Sequence, residues 1–73
     1  MTMSKPYVVG IDIGGTNTVF GIVDARGTII ASGSIKTNKF NEVEDYVNEL
    51  HTELFRLLEQ NNATDKIMGI GVG

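Results

Sequence analysis

The stretch Ile11-Asp12-Ile13-Gly14-Gly15-Thr16-Asn17-Thr18 runs from an apolar strand into a glycine pair and leaves it through hydroxyl and amide side chains. Apolar runs flank it, Tyr7-Val8-Val9-Gly10-Ile11 before and Val19-Phe20-Gly21-Ile22-Val23 after, so the glycines are expected at the tip of a β-hairpin. Two adjacent glycines allow positive φ and carry no Cβ to hold a ligand away from the backbone. A tip of this kind can aim several N–H groups at an anion, as backbone nests do for phosphate. Asp12 interrupts a strand otherwise rich in Val and Ile. Burying a lone carboxylate is costly unless it is paired or hydrogen-bonded, so Asp12 is expected beside a ligand and not in the core. The chemistry implied is a nucleotide phosphate at the tip with Mg²⁺ close to Asp12. A plain turn accounts for the same residues, since Gly-Gly followed by Thr-Asn needs no ligand to form one. Two other phosphate motifs are excluded: there is no Gly-x-x-x-x-Gly-Lys-Ser/Thr, and no helix start follows Gly15 as a dinucleotide fingerprint requires.

Outward from the hairpin, the first strand is expected over Tyr7–Ile13, with an apolar character that suits a central strand covered on both faces. Pro6 ends a disordered or extended leader. A second strand over residues 19–24 returns antiparallel, and Asp24-Ala25-Arg26-Gly27 is a turn in which Asp binds its own backbone and Gly takes the left-handed position. The third strand, residues 28–35, is weakened by Gly33 and belongs at an edge. One long helix follows, with Asn41 as N-cap and Glu44 completing a capping box. Val43, Tyr46, Val47, Leu50, Leu54, Leu57 and Leu58 recur at helical spacing and form the face that covers the sheet. Glu49, Glu53, Arg56 and Glu59 make the solvated face, His51 lies on the flank as a surface residue, and residues 61–65 close the helix. A fourth strand spans residues 66–72. A strand, helix, strand connection crosses right-handed and leaves its strands parallel, which places the fourth strand beside the first in the order 3-2-1-4.

Composition narrows the partners. Seventy-three residues allow one small domain at most. Without cysteine there are no disulfides and no thiolate metal sites. A net charge of −3 and a pI near 4.8 argue against nucleic acid as a partner. Neither a signal-like apolar core nor an apolar run of about 18 residues is present, so the expectation is a cytoplasmic protein without a membrane partner.

Asp12-Ile13-Gly14-Gly15-Thr16-Asn17 between two strands resembles the first phosphate motif of sugar kinases in the actin-like ATPase superfamily. Within it the pattern is similar to the ROK group (repressors, open reading frames and kinases), particularly bacterial glucokinases. The resemblance extends through Gly21-Ile22-Val23-Asp24, the Gly27 turn, the long helix and Gly69-Ile70-Gly71-Val72-Gly73. Many ROK members carry Lys at the place of Asn17.

The resemblance implies an α/β, ribonuclease-H-like (actin-like ATPase) half-domain of β-β-β-α-β form, residues 1–73 being the N-terminal part of the first lobe. It implies ATP and Mg²⁺ as cofactors, a hexose, most simply glucose, as substrate, and a homo-oligomer as the complete protein. Asp12, Gly14, Gly15, Thr16 and Asn17 would be the nucleotide-binding residues, with Asp12 holding Mg²⁺ through water. No catalytic residue falls in this segment, because the family's proton-accepting Asp and its His/Cys zinc motif have no counterpart here. Two other readings are a sugar-sensing ROK repressor and a non-enzymatic actin-like ATPase or chaperone module. A repressor carries a helix-turn-helix ahead of the phosphate motif, whereas eleven residues precede Asp12. The isolated segment is expected to lack kinase activity and either to self-associate, through its fourth strand or its uncovered sheet face, or to remain partly unfolded.

Overall fold

β1 (Tyr7–Ile13) is the centre of the molecule, because it is hydrogen-bonded along both edges. The computed structural model describes residues 6–73, and the expected leader before Pro6 lies outside them. β2 (Asn17–Val23) returns antiparallel to β1, in a register that pairs Val8 with Val23 and Ile13 with Thr18. β3 (Ile29–Lys36) pairs antiparallel with β2 and forms one edge, as Gly33 suggested. A single 3-10 turn, Thr37–Lys39, leads to α1 (Val43–Gln60), and β4 (Ile67–Val72) then pairs parallel with β1. The order is β3-β2-β1-β4. The fold is the mixed α/β arrangement of the actin-like ATPase half-domain, with the strand order expected from the crossover rule.

Strand limits differ from the sequence expectation by one or two residues, for reasons visible in the hydrogen bonding. β2 ends at Val23 because Asp24 belongs to the turn: its Oδ1 accepts the N–H groups of Arg26 and Thr28, both at 2.9 Å. Gly27 takes φ +85° there, the left-handed value that turn requires. β2 begins earlier than expected, at Asn17, because β3 runs on to Lys36 and supplies partners for Asn17 and Thr18. β4 begins at Ile67 and not at Lys66.

The core lies between the sheet and α1. Val9, Phe20, Ile22 and Ile35 project from the strands against Leu54 and Leu58 of the helix, and Ala63 closes the lower end. The helix ends in a Schellman arrangement: the Ala63 N–H donates to the Leu58 carbonyl at 2.8 Å and the Asn62 N–H to that of Glu59 at 3.2 Å. Asn62 occupies the left-handed position at φ 53°, and Ala63 is fully buried. The C-terminal half of α1 is therefore the half seated on the sheet.

Three expectations are corrected. Asn41 and Glu44 do not form a capping box; the N-cap is Glu42, in extended conformation and without a side-chain cap. The first intrahelical bond runs from the Tyr46 N–H to the Glu42 carbonyl at 3.3 Å, so the helix starts one residue past Asn41 and Glu44 no longer stands three residues after the N-cap. Glu44 and Asp45 still lie in the first turn, where the helix dipole favours them. Val43 and Val47 share the apolar stripe but stand uncovered, 77% and 51% exposed, because the helix backbone lies nearest β3 and is seated through its C-terminal half. β1 is covered on one face only: Gly10 and Asp12 are exposed on the other.

That second face carries a row with almost no side chains. Ser32, Gly21, Gly10 and Gly71 are consecutive partners across all four strands. With Val19 and Ile29 they line a cavity of about 340 Å³, whose character is apolar.

Leu58 is the anchor of the helix seat at 5% exposure, so Leu58→Ala is expected to lower folding stability by about 2–5 kcal/mol in urea denaturation. Leu58→Met keeps the volume and is expected to cost less than about 1.5 kcal/mol.

Candidate phosphate-binding site

The β1–β2 connection is a four-residue tip, Gly14 to Asn17, closed by the Gly14 N–H donating to the Asn17 carbonyl at 2.9 Å. All four residues are exposed. Neither glycine has a positive φ, contrary to the expectation from their pairing. What the tip uses is the missing Cβ, and it uses it at Gly14: a methyl group built there would lie 2.9 Å from the Asn17 carbonyl oxygen. At Gly15 the corresponding position is open space, so within the chain itself the steric demand lies at Gly14.

Two neighbours hold the tip in place. On one side the Ile13 N–H donates to the Gly73 carbonyl at 3.1 Å, and the Gly73 N–H donates to the Ile11 carbonyl at 2.8 Å. On the other side the Thr37 N–H donates to the Thr16 carbonyl at 2.9 Å. The N–H groups of Gly15 and Thr16 themselves donate to no other group among the described residues. Both residues are exposed and adjacent, and the Gly15 Cβ position is open space, so these two donors are left to water or to an anion.

Asp12 lies two residues before the tip, opposite Val19, and is exposed. Its carboxylate has no hydrogen bond or ion pair among the described residues. A free carboxylate is a hard oxygen donor of the kind Mg²⁺ takes together with phosphate oxygens and water, so the donor chemistry fits that ion. No cluster of three or more His, Cys, Asp or Glu residues occurs among the described residues. The site therefore offers one carboxylate and the backbone. Asp12 also borders the apolar cavity of the uncovered face, which has no cation and no array of free N–H groups; its chemistry is that of a packing surface.

Lys36 is the β3 register partner of Asn17, which puts one cationic residue beside the tip. The charged side chains in ion pairs lie on the 3-10 turn and on the helix. Lys39 pairs loosely with Glu49 at 3.8 Å and lies over the Phe40 ring, while Arg56 pairs with Glu53 at 2.9 Å on the helix surface. His51 is exposed and stacks against Phe55 with centroids 4.5 Å apart, a surface contact as expected. Among the described residues no helix is long and apolar enough to cross a membrane.

Sequence reasoning missed Thr18, Thr37 and Tyr46, which meet through their hydroxyls behind the tip. The signal was present in the alternation of β2, where Thr18 shares the inward parity of Phe20 and Ile22. A hydroxyl at an inward position needs a partner.

No protein-family profile matches the chain. Among solved structures, a ROK family glucokinase from Streptomyces griseus in complex with glucose and AMPPNP superposes with a TM-score of 0.71 over 92% of this chain, at 25% identity. A glucomannokinase of Segatella bryantii is 79% identical over 19 residues, 26% of this chain and 76% of that sequence. The chain belongs to the ROK family of sugar kinases. A protein of Cytophaga hutchinsonii assigned as a sugar kinase superposes with a TM-score of 0.68 at 28% identity, again over 92% of this chain. The chain spans about a fifth of these two solved structures, 20% and 21% of their lengths.

Because the close approach is at Gly14, Gly14→Ala is expected to destabilise the fold by about 1–3 kcal/mol, whereas Gly15→Ala is expected to change it by less than about 0.5 kcal/mol. Paired urea denaturation curves check the contrast, and equal losses at both positions would contradict it.

Proposed function

We propose that this chain is the opening part of the N-terminal lobe of an ATP-dependent kinase that phosphorylates a hexose, converting glucose to glucose 6-phosphate. The observation that carries this reading is the tip itself: the Gly15 and Thr16 N–H groups have no partner among the described residues, and they follow by three and four residues an Asp12 carboxylate that has none there either. The membership of the ROK family and the superposition on a glucokinase that holds glucose and AMPPNP support the choice of a sugar and ATP.

In this reading Gly14 closes the tip, Gly15 and Thr16 present their N–H groups to nucleotide phosphate, and Asn17 ends the turn with its side chain at the same surface. Asp12 would hold Mg²⁺ through water. When bound, the ion neutralises phosphate charge, which is most of what phosphoryl transfer asks of its surroundings. This chain's own part is to position: backbone donors fixed by strand pairing face the phosphate without having to reorganise. None of its acidic residues acts as the base toward the sugar hydroxyl. The cytoplasm, where ATP and hexoses meet, and a homo-oligomeric complete protein complete the proposal.

The decisive experiment is Asp12→Asn in the complete kinase. Phosphoryl transfer is expected to fall at least ~100-fold with an unchanged circular dichroism spectrum, because the lost charge acts on the metal and the phosphate and not on packing. Near-normal turnover at saturating Mg²⁺ would place Asp12 in a structural role instead.

A further inference from the structure

Thr18 is fully buried, on the inward face of β2, at a place where Val would pack with the same shape and no polar atom. Its Oγ1 lies 2.7 Å from the Thr37 Oγ1 and 2.6 Å from the Tyr46 hydroxyl oxygen. Either oxygen of each contact can be the donor; with Thr18 donating to one partner and accepting from the other, its own buried proton is used. The spare proton and lone pairs fall on Thr37 and Tyr46, the two members that are only partly buried. The fully buried hydroxyl is thus satisfied, and no buried side-chain polar atom is left without a partner.

This triad reaches the phosphate tip by a second bond. Thr37, while its hydroxyl holds Thr18, also donates its N–H to the Thr16 carbonyl at 2.9 Å. Residues 16, 18 and 37 therefore form a closed ring of contacts, and Tyr46 ties that ring to the first turns of α1. Within the tip itself one backbone bond, Gly14 to Asn17, is all that fixes the shape. Glycine-rich backbone is costly to order, and whatever order is not built in before binding is lost from affinity.

We propose that the Thr18–Thr37–Tyr46 hydroxyl triad is the device that pre-orders the phosphate tip, which makes Tyr46 a positioning residue for nucleotide although it lies on the helix behind the sheet. The inference rests on the phosphate reading of the tip given above. Tyr46 acts through Thr18 and Thr37 and does not touch the ligand. Its effect is consequently confined to nucleotide affinity.

The test uses the complete kinase with Thr18→Val, Thr18→Ser and Tyr46→Phe, reading the KM for ATP, the KM for sugar, kcat, and the calorimetric affinity for Mg-AMPPNP. Thr18→Val and Tyr46→Phe are each expected to weaken ATP and Mg-AMPPNP about 10-fold, the size of one or two lost hydrogen bonds. The sugar KM is expected to stay unchanged and kcat at saturating ATP to stay within about 2-fold. Thr18→Ser, which keeps the hydroxyl, is expected to retain unmutated nucleotide affinity. Should Thr18→Val fold poorly, Tyr46→Phe carries the same measurement, since it removes a single oxygen from a partly exposed ring. Nucleotide affinity unchanged in Tyr46→Phe, or lost as fully in Thr18→Ser as in Thr18→Val, would overturn the proposal. So would an equal rise in the sugar KM. Amide chemical shifts of Gly15 and Thr16 separate the two levels: if they move on adding Mg-AMPPNP to the unmutated kinase, the tip reading stands whatever the triad variants do. If they do not move, the tip reading fails and the triad proposal falls with it.

Discussion

Everything in this fold depends on β1 being paired on both edges, antiparallel with β2 and parallel with β4. The parallel partner can be reached only by a crossover, and α1 is that crossover. Once the helix has crossed, its Leu54 and Leu58 have one face of the sheet available, and the core follows. The same double pairing fixes the end of β1. Ile13 is bonded to Gly73 while Thr18 holds the register with Ile13, so the tip begins from an anchored residue. A hairpin standing alone would have no such anchor.

The direction of the strands explains why the functional features gather at one end. β1, β3 and β4 all finish near the tip, and the entry to α1 lies there because β3 feeds it. Thr37 can therefore bond both Thr16 and Thr18, and Tyr46 can reach the same point from the helix. Ligand sites at the carboxyl ends of strands are general in open α/β sheets. Here that end is reinforced by backbone bonds from β4 and by hydroxyl bonds from α1, one set on each side of the tip.

Elements with a strong period were legible in the sequence. The four strands, their order, the Asp24 turn and the helix follow from alternation, turn chemistry and the handedness of crossovers. The helix start was not legible, because Asn41 and Glu44 stand at capping-box spacing, yet the first helical bond forms one residue later, on the Glu42 carbonyl. The positions of the glycine demands were not legible either. Gly14-Gly15 reads as a pair suited to positive φ, yet the structure uses only the absent Cβ of Gly14 against a carbonyl four residues of chain closes upon it. For the candidate site, the hairpin tip and the place of Asp12 just before it could be read from the order of residues between two strands, whereas the triad could not. Thr18, Thr37 and Tyr46 lie 19 and 28 residues apart in pairs, and only the register of three elements brings them together.

The two sheet faces divide the work between them. On the helix face, side chains fill the space and the lone buried hydroxyl is satisfied by partners that also touch the tip. On the other face, Ser32, Gly21, Gly10 and Gly71 leave a trough that no side chain of their own fills, with Val19 and Ile29 as its rims. Asp12 stands at the border of that trough, two residues before the tip, and among the described residues it has no hydrogen-bond or ion-pair partner. A carboxylate on the helix face at the same distance from the tip would have to be paired or lose its charge to burial. On the bare face the carboxylate needs no such partner, while the helix face carries the packed side chains. The alternation of a single strand, one residue inward and the next outward, is what separates these two roles within three consecutive positions of β1.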